Sequence, residues 1–179
     1  MNIEASRVVI RKIKDTDDVA IFDAVKCPET HLMHGNQFNS IKEVQQYIQT
    51  LLREYDTNNY RTMAIADKTT DTLIGTITFA KDKIFPRAEI SYWISGSHRN
   101  KGYATEAVNE MIAYGFNNMS LNRIQAMHFS GNHASGRVLE KAGMQYEGTL
   151  RQYVGMGEMH IDCLMYSILR KDFFGGRER

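Results

Sequence analysis

Ile90-Ser91-Tyr92-Trp93-Ile94-Ser95-Gly96-Ser97-His98-Arg99-Asn100-Lys101-Gly102-Tyr103-Ala104-Thr105-Glu106-Ala107 decides the reading of this chain. An apolar, β-prone run leads into a short polar loop. The loop carries Arg99-x-x-Gly102-x-Ala104 and opens a helix. The first N–H groups of a helix have no partner inside it. The helix dipole favours negative charge there, and small residues let a ligand approach the backbone closely. Arg99 and Lys101 add cationic side chains at the rim. The segment is a candidate cradle for a pyrophosphate.

The commoner phosphate loops do not fit. No Gly-x-x-x-x-Gly-Lys-Ser/Thr occurs, which argues against a P-loop nucleotide site. No Gly-x-Gly-x-x-Gly follows an early strand, which argues against a dinucleotide fold.

Around this segment the chain reads as one domain of 179 residues, with a core over about 8–173 and a short disordered tail over 175–179. Lys plus Arg number 22 and Asp plus Glu 21, so no strongly basic footprint for nucleic acid is present. Two cysteines, Cys27 and Cys163, imply no disulfide framework, and a cytoplasmic location is expected. No apolar run approaches the roughly 20 residues of a membrane span, and the N-terminus lacks a signal-peptide core.

Periodicity gives the remaining elements. Val8 to Ile13 reads as a strand, and Asp15 offers an N-cap to a helix carrying Val19, Ile21, Phe22 and Val25. Ser40-Ile41-Lys42-Glu43 is a capping box, and the helix behind it runs to about Asp56. Tyr60–Ala66 and Leu73–Phe79 form a hairpin across the turn Asp67–Asp71, and Ala88–Ile94 is the next strand. Ala104 to Phe116 carries a helical apolar stripe, and Arg123–Phe129 alternates as a strand. Ala134 to Ala142 is a short helix stopped by Gly143. Met144–Leu150 and Ile161–Leu169 close the chain as strands. The order β-α-α-β-β-β-α-β-α-β-β implies a mixed α/β sheet covered by helices.

A second signature lies downstream: Asn132-His133-Ala134-Ser135-Gly136-Arg137-Val138-Leu139-Glu140-Lys141-Ala142-Gly143-Met144. In this order and on these elements, the two segments resemble the GNAT superfamily of N-acetyltransferases. The pieces Ala88–Ile94, Gly102–Ala107 and Leu139–Met144 look most like the ribosomal-protein alanine N-acetyltransferase branch. The resemblance implies the GNAT fold: a mostly antiparallel seven-stranded sheet with a V-shaped gap, flanked by about four helices. It also implies acetyl-CoA as cofactor and coenzyme A as product.

Carried onto this chain, the resemblance implies that backbone groups of Tyr92, Trp93 and Ile94 bond the pantetheine and polarise the acetyl carbonyl. Arg99, Asn100, Lys101, Gly102, Tyr103, Ala104 and Thr105 would hold the pyrophosphate, Asn132 would bond pantetheine, and Ser135 would lie near the sulfur. The chemistry is attack of a neutral amine on a thioester, with a base for the ammonium proton and stabilisation of the developing oxyanion. Glu89 is the candidate base; its bland reading is a solvated strand carboxylate. Many relatives carry a Tyr acid seven residues after the Asn, where this chain has Leu139. Ser135 is then the nearest matched hydroxyl, and a coenzyme A thiolate can also leave without an acid.

His31, His34, Glu89 and Tyr92 are candidate acceptor contacts. Cys27-x-x-x-His31-x-x-His34 lacks a second ligand pair, so no metal is expected. Arg137 and Lys141 read as solvated; the alternative is an approach to the 3′-phosphate of coenzyme A. The expected acceptor is a protein N-terminal α-amine. The alternatives are a small amine (a polyamine, amino acid or aminoglycoside) and, in another class, a non-catalytic acyl-CoA-binding module. Neither a nucleic acid nor a membrane is expected as partner, and the chain reads as a monomer or homodimer.

Overall fold

The computed structural model describes residues 2–26, 38–55, 59–156 and 159–175. Strand β1 (Ile3–Glu4) and β2 (Val8–Lys12) come first, followed by a 3₁₀ turn (Asp15–Asp17) and α1 (Asp18–Val25). Then come α2 (Ile41–Glu54), β3 (Tyr60–Asp67), β4 (Leu73–Lys81) and β5 (Arg87–Ile94). Helix α3 (Tyr103–Asn118), β6 (Arg123–Phe129), α4 (His133–Lys141), β7 (Gln145–Met156), β8 (Met159–Leu169) and α5 (Arg170–Gly175) complete the fold. Cys27, His31 and His34 lie outside the described residues.

The strands form one mixed sheet in the order β1-β2-β3-β4-β5-β6-β8-β7. Every pairing is antiparallel except β5 with β6. Among the described residues the sheet has eight strands, not seven, and five helices flank it, not four. The extra strand, Ile3–Glu4, is two residues long and shows no period. The extra helix, Arg170–Gly175, is a six-residue turn that packs beside β8. Gly175 belongs to that helix, not to a frayed tail; 176–179 lie outside the described residues.

Side-chain period explains the layers. On α3, Ala107, Val108, Met111, Ile112, Gly115 and Phe116 recur on one face and are buried against β4, β5 and β6. Each large side chain in that stripe contributes about 1.5–3 kcal/mol by leaving water. Ile21, Val25, Val44 and Ile48 of α1 and α2 cover the other face, where they meet Trp93. Residues Leu73–Phe79 of β4 are buried throughout, as a strand sandwiched between helices requires.

Two helix starts differ in detail from the sequence expectation. Asp15 does not cap α1; its carboxylate accepts from Gln49 Nε2 at 2.6 Å. Asp17 takes the structural role instead. It accepts both Nη atoms of buried Arg11, at 2.8 and 2.9 Å, and the Lys14 N–H at 2.8 Å. At α2 the Ser40 hydroxyl accepts the Glu43 N–H at 3.3 Å, but the Glu43 carboxylate reaches Asn39 N–H, one residue before the cap.

Candidate active site

The site begins where the sheet comes apart. Strands β5 and β6 pair in parallel only at Arg87↔Arg123, Ala88↔Ile124 and Glu89↔Gln125. Beyond that point β5 continues along β4 to Ile94 and β6 continues along β8 to Phe129. A slot therefore opens after Glu89.

The ladder shows which groups line that slot. Asp82 N–H donates to Arg87 O and Ser95 N–H donates to Ile74 O, both at 2.9 Å, at the two ends of the β4–β5 ladder. Antiparallel bonding alternates, so the odd residues of β5 turn their backbone toward β4. The even ones, Ile90, Tyr92 and Ile94, present N–H and C=O groups to the slot. Arg99 Nε donates to Ile94 O at 3.1 Å, which agrees with that assignment. Trp93 differs from the expectation: its backbone faces β4 and its side chain packs against α1 and α2.

On the α3 side, Tyr92, Trp93, Ile94, Arg99, Asn100, Gly102, Tyr103, Ala104, Thr105 and Ser135 line one cavity of about 250 Å³. On the loop Asn100 and Gly102 both have positive φ, 61° and 85°, so the chain turns sharply into α3. No side chain caps α3, so its first N–H groups have no side-chain partner. Gly102 stands where an L side chain is strained.

Lys101 and Asn132 are not on this lining. Asn132 Oδ1 caps α4, accepting the Ser135 N–H at 3.1 Å. Tyr92 crosses the slot, and its hydroxyl donates to Ser135 O at 3.3 Å. Burial pushes the Tyr92 phenol up to about 12, so it stays a donor. Arg137 and Lys141, read from the sequence as solvated, line the cavity from α4 together with Val138. Their spacing after Ala134 is that of one helix face, and two cations on it beside an anion loop were the available signal.

Glu89 lies on the other face of the sheet. Ala88, Ile90 and Ile94 point into the α3 core and Trp93 into the α1–α2 core, so the odd-numbered Glu89 shares Trp93's side. It lines a second cavity of about 300 Å³ with Lys81, Asp82, Arg87 and Gln125. Gln125 Nε2 donates to Glu89 Oε2 at 3.1 Å. Arg123 Nε donates to Gln125 Oε1 at 3.0 Å. Arginine has no acceptor, so the amide must offer its oxygen to Arg123 and its NH₂ to Glu89.

Arg123 in turn forks onto Glu147 at 2.7 and 2.6 Å, and the Ser167 hydroxyl donates to the same carboxylate at 2.6 Å. The Arg123 bonds and then Ser167 hold the Glu147 carboxyl at about 2, below its ordinary 4.5. A depressed carboxylate adds stability that is present above the ordinary value and lost as pH falls through the folded one. The wild-type melting temperature is therefore expected to drop more steeply than that of Glu147→Gln between pH 4.5 and pH 2. Parallel curves would contradict the pairing. The effect is small, because the Glu147 side chain is 40% exposed.

Cys163 is buried on β8, and burial raises its thiol. It is not placed as a nucleophile. Among the described residues no cluster of His, Cys, Asp and Glu forms a metal site, and no helix is long and apolar enough to cross a membrane.

The acetyltransferase (GNAT) domain model matches residues 7–145. The chain belongs to the GNAT acetyltransferases. It is 36% identical over 170 residues to the uncharacterized N-acetyltransferase YoaA of Bacillus subtilis (strain 168), covering 94% of this chain and 96% of that one. The crystal structure of a GNAT-family acetyltransferase from Bacillus anthracis superposes with a TM-score of 0.85 at 27% identity, covering 96% and 99% of the two chains. RimL, a ribosomal L7/L12 alpha-N-protein acetyltransferase solved with coenzyme A, shares the fold with a TM-score of 0.81 at 18% identity, over 94% and 98%. This GNAT enzyme is an N-acetyltransferase and uses acetyl-CoA.

Proposed function

We propose that this enzyme acetylates a protein N-terminal α-amine by direct transfer in a ternary complex. The observation that carries the reading is the slot after Glu89↔Gln125, which opens between a cavity walled by the anion loop and a cavity holding a carboxylate. Acetyl-CoA supplies an activated thioester. The N–H groups of Gly102 to Thr105, with Arg99 and Asn100, bind its pyrophosphate, and Asn132 borders the pantetheine arm. Lys101 adds charge at the rim. N–H groups of Tyr92 and Ile94 at the slot edge stabilise charge on the carbonyl oxygen.

Glu89 takes the proton of the incoming ammonium from the opposite face, directly or through water. Ser135 lies on the cavity wall, and we assign its hydroxyl to the departing sulfur. Tyr92 borders the acceptor path. RimL, named for a protein α-amine, shares this fold, and that likeness is the ground for proposing an acceptor of the same kind. The two cysteines fit a reducing cytoplasm.

The test is free-thiol release from acetyl-CoA with two acceptor pools, one of peptides with free N-termini and one of polyamines, amino acids and aminoglycosides. Turnover with the peptides alone is expected. Turnover with the small amines alone would replace the acceptor while leaving the chemistry.

A further inference from the structure

We propose that Arg7 is a positioning residue for the pyrophosphate of acetyl-CoA: it braces the anion loop from behind and neutralises the carboxylate in the first turn of α3. This rests on reading Arg99 to Ala104 as the pyrophosphate site.

Arg7 lies in the turn between β1 and β2, outside the cavity lining. Its backbone is fixed on both sides. Its N–H donates to Glu106 Oε1 at 2.5 Å, and its carbonyl accepts the Lys68 N–H at 2.9 Å. The side chain then reaches the start of α3. Nη1 donates to Lys101 O at 2.9 Å, and Nε and Nη2 each lie 2.9 Å from Glu106 Oε2. The guanidinium also packs over the Tyr103 ring, 4.8 Å from its centroid.

Two consequences follow from elementary geometry and charge. In a trans peptide the carbonyl of one residue and the N–H of the next point in opposite directions. Arg7 holds the Lys101 carbonyl on its own side, so the Gly102 N–H is turned away from Arg7, and Gly102 is on the cavity wall. A Cβ at Gly102 would lie 3.2 Å from Arg7 Nη2, so the glycine also admits the guanidinium.

The second consequence concerns Glu106. Its side chain is 15% exposed in the first turn of α3, where its negative charge competes with a bound anion. Arg7 and the Val8 N–H saturate it. Burial opposes ionisation of Glu106, but these bonds outweigh it and hold the carboxyl below its ordinary range.

The test compares coenzyme A with pantetheine, which lacks the pyrophosphate, by titration calorimetry on wild type, Arg7→Gln, Arg7→Lys and Glu106→Gln. Arg7→Gln is expected to bind coenzyme A about tenfold more weakly with pantetheine affinity unchanged. Arg7→Lys keeps the charge but not the fork and recovers part of the loss. Glu106→Gln removes the competing charge and leaves the Lys101 contact in place, so it keeps coenzyme A affinity at or above that of wild type. Should Arg7→Gln not fold, Arg7→Lys makes the same comparison.

Equal weakening toward both ligands would assign Arg7 a general structural role and overturn the proposal. So would unchanged coenzyme A affinity. If wild type itself held coenzyme A no better than pantetheine, the pyrophosphate reading of the loop would fall first, and the Arg7 proposal with it.

Discussion

Glu89→Gln is expected to lower kcat by about 10²- to 10⁴-fold, the usual contribution of a positioned proton acceptor, while acetyl-CoA affinity stays within about twofold. The substitution keeps the shape and removes the base. The Gln125 amide donates to Glu89, and its orientation is set by Arg123, so a glutamine oxygen at position 89 can accept the same bond. The fold should therefore tolerate the change. Glu89 is separated from the cofactor cavity by the sheet, which is why affinity and turnover are expected to part company. Pre-steady-state acetyl transfer and calorimetric acetyl-CoA titration on the same preparation check both halves. A variant with near wild-type turnover would remove Glu89 from the chemistry.

Gly75→Ala is expected to cost about 3 kcal/mol of stability, or roughly 10 °C in Tm, and to weaken acetyl-CoA binding. Gly75 on β4 pairs with Ile94 on β5. A Cβ there would lie 2.2 Å from the Trp93 carbonyl oxygen, 2.9 Å from Ile94 Cδ1 and 3.1 Å from Ile94 Cα. The nearest obstacle is backbone, so no side-chain rotation relieves it. The end of β5 must move, and that end carries the Tyr92 and Ile94 groups that face the slot. Denaturant unfolding and acetyl-CoA titration give the two readouts. A stable alanine variant with normal affinity would show that β5 has slack at this point.

Elements with a clean period were legible in the chain. The α3 stripe, the alternation of Arg123–Phe129 and the hairpin of β3 and β4 all fall where spacing put them. Elements too short to show a period were not, as with Ile3–Glu4 and Arg170–Gly175. The loop from Arg99 into α3 was legible as a glycine turn at a helix start because backbone, glycine and helix start lie within a few residues. What depends on pairing was hidden. The slot after Glu89, the orientation of the Trp93 backbone and the placing of Glu89 opposite the cofactor cavity all follow from strand register, which the pattern of a single strand does not carry. Arg137 and Lys141 were read as solvated because a helix face of alternating charge looks the same beside water as beside an anion site. Asp17 was missed as a buried partner of Arg11, since only the fold brings that carboxylate under β2.

That the split sheet and the uncapped start of α3 hold acetyl-CoA is tested by a crystal structure of the protein grown with coenzyme A. Pyrophosphate oxygens are expected within hydrogen-bond distance of N–H groups between Gly102 and Thr105, with the pantetheine arm between β5 and β6 beside Tyr92 and Ile94. A pyrophosphate bound away from that loop, or a pantetheine arm outside the slot, would contradict it.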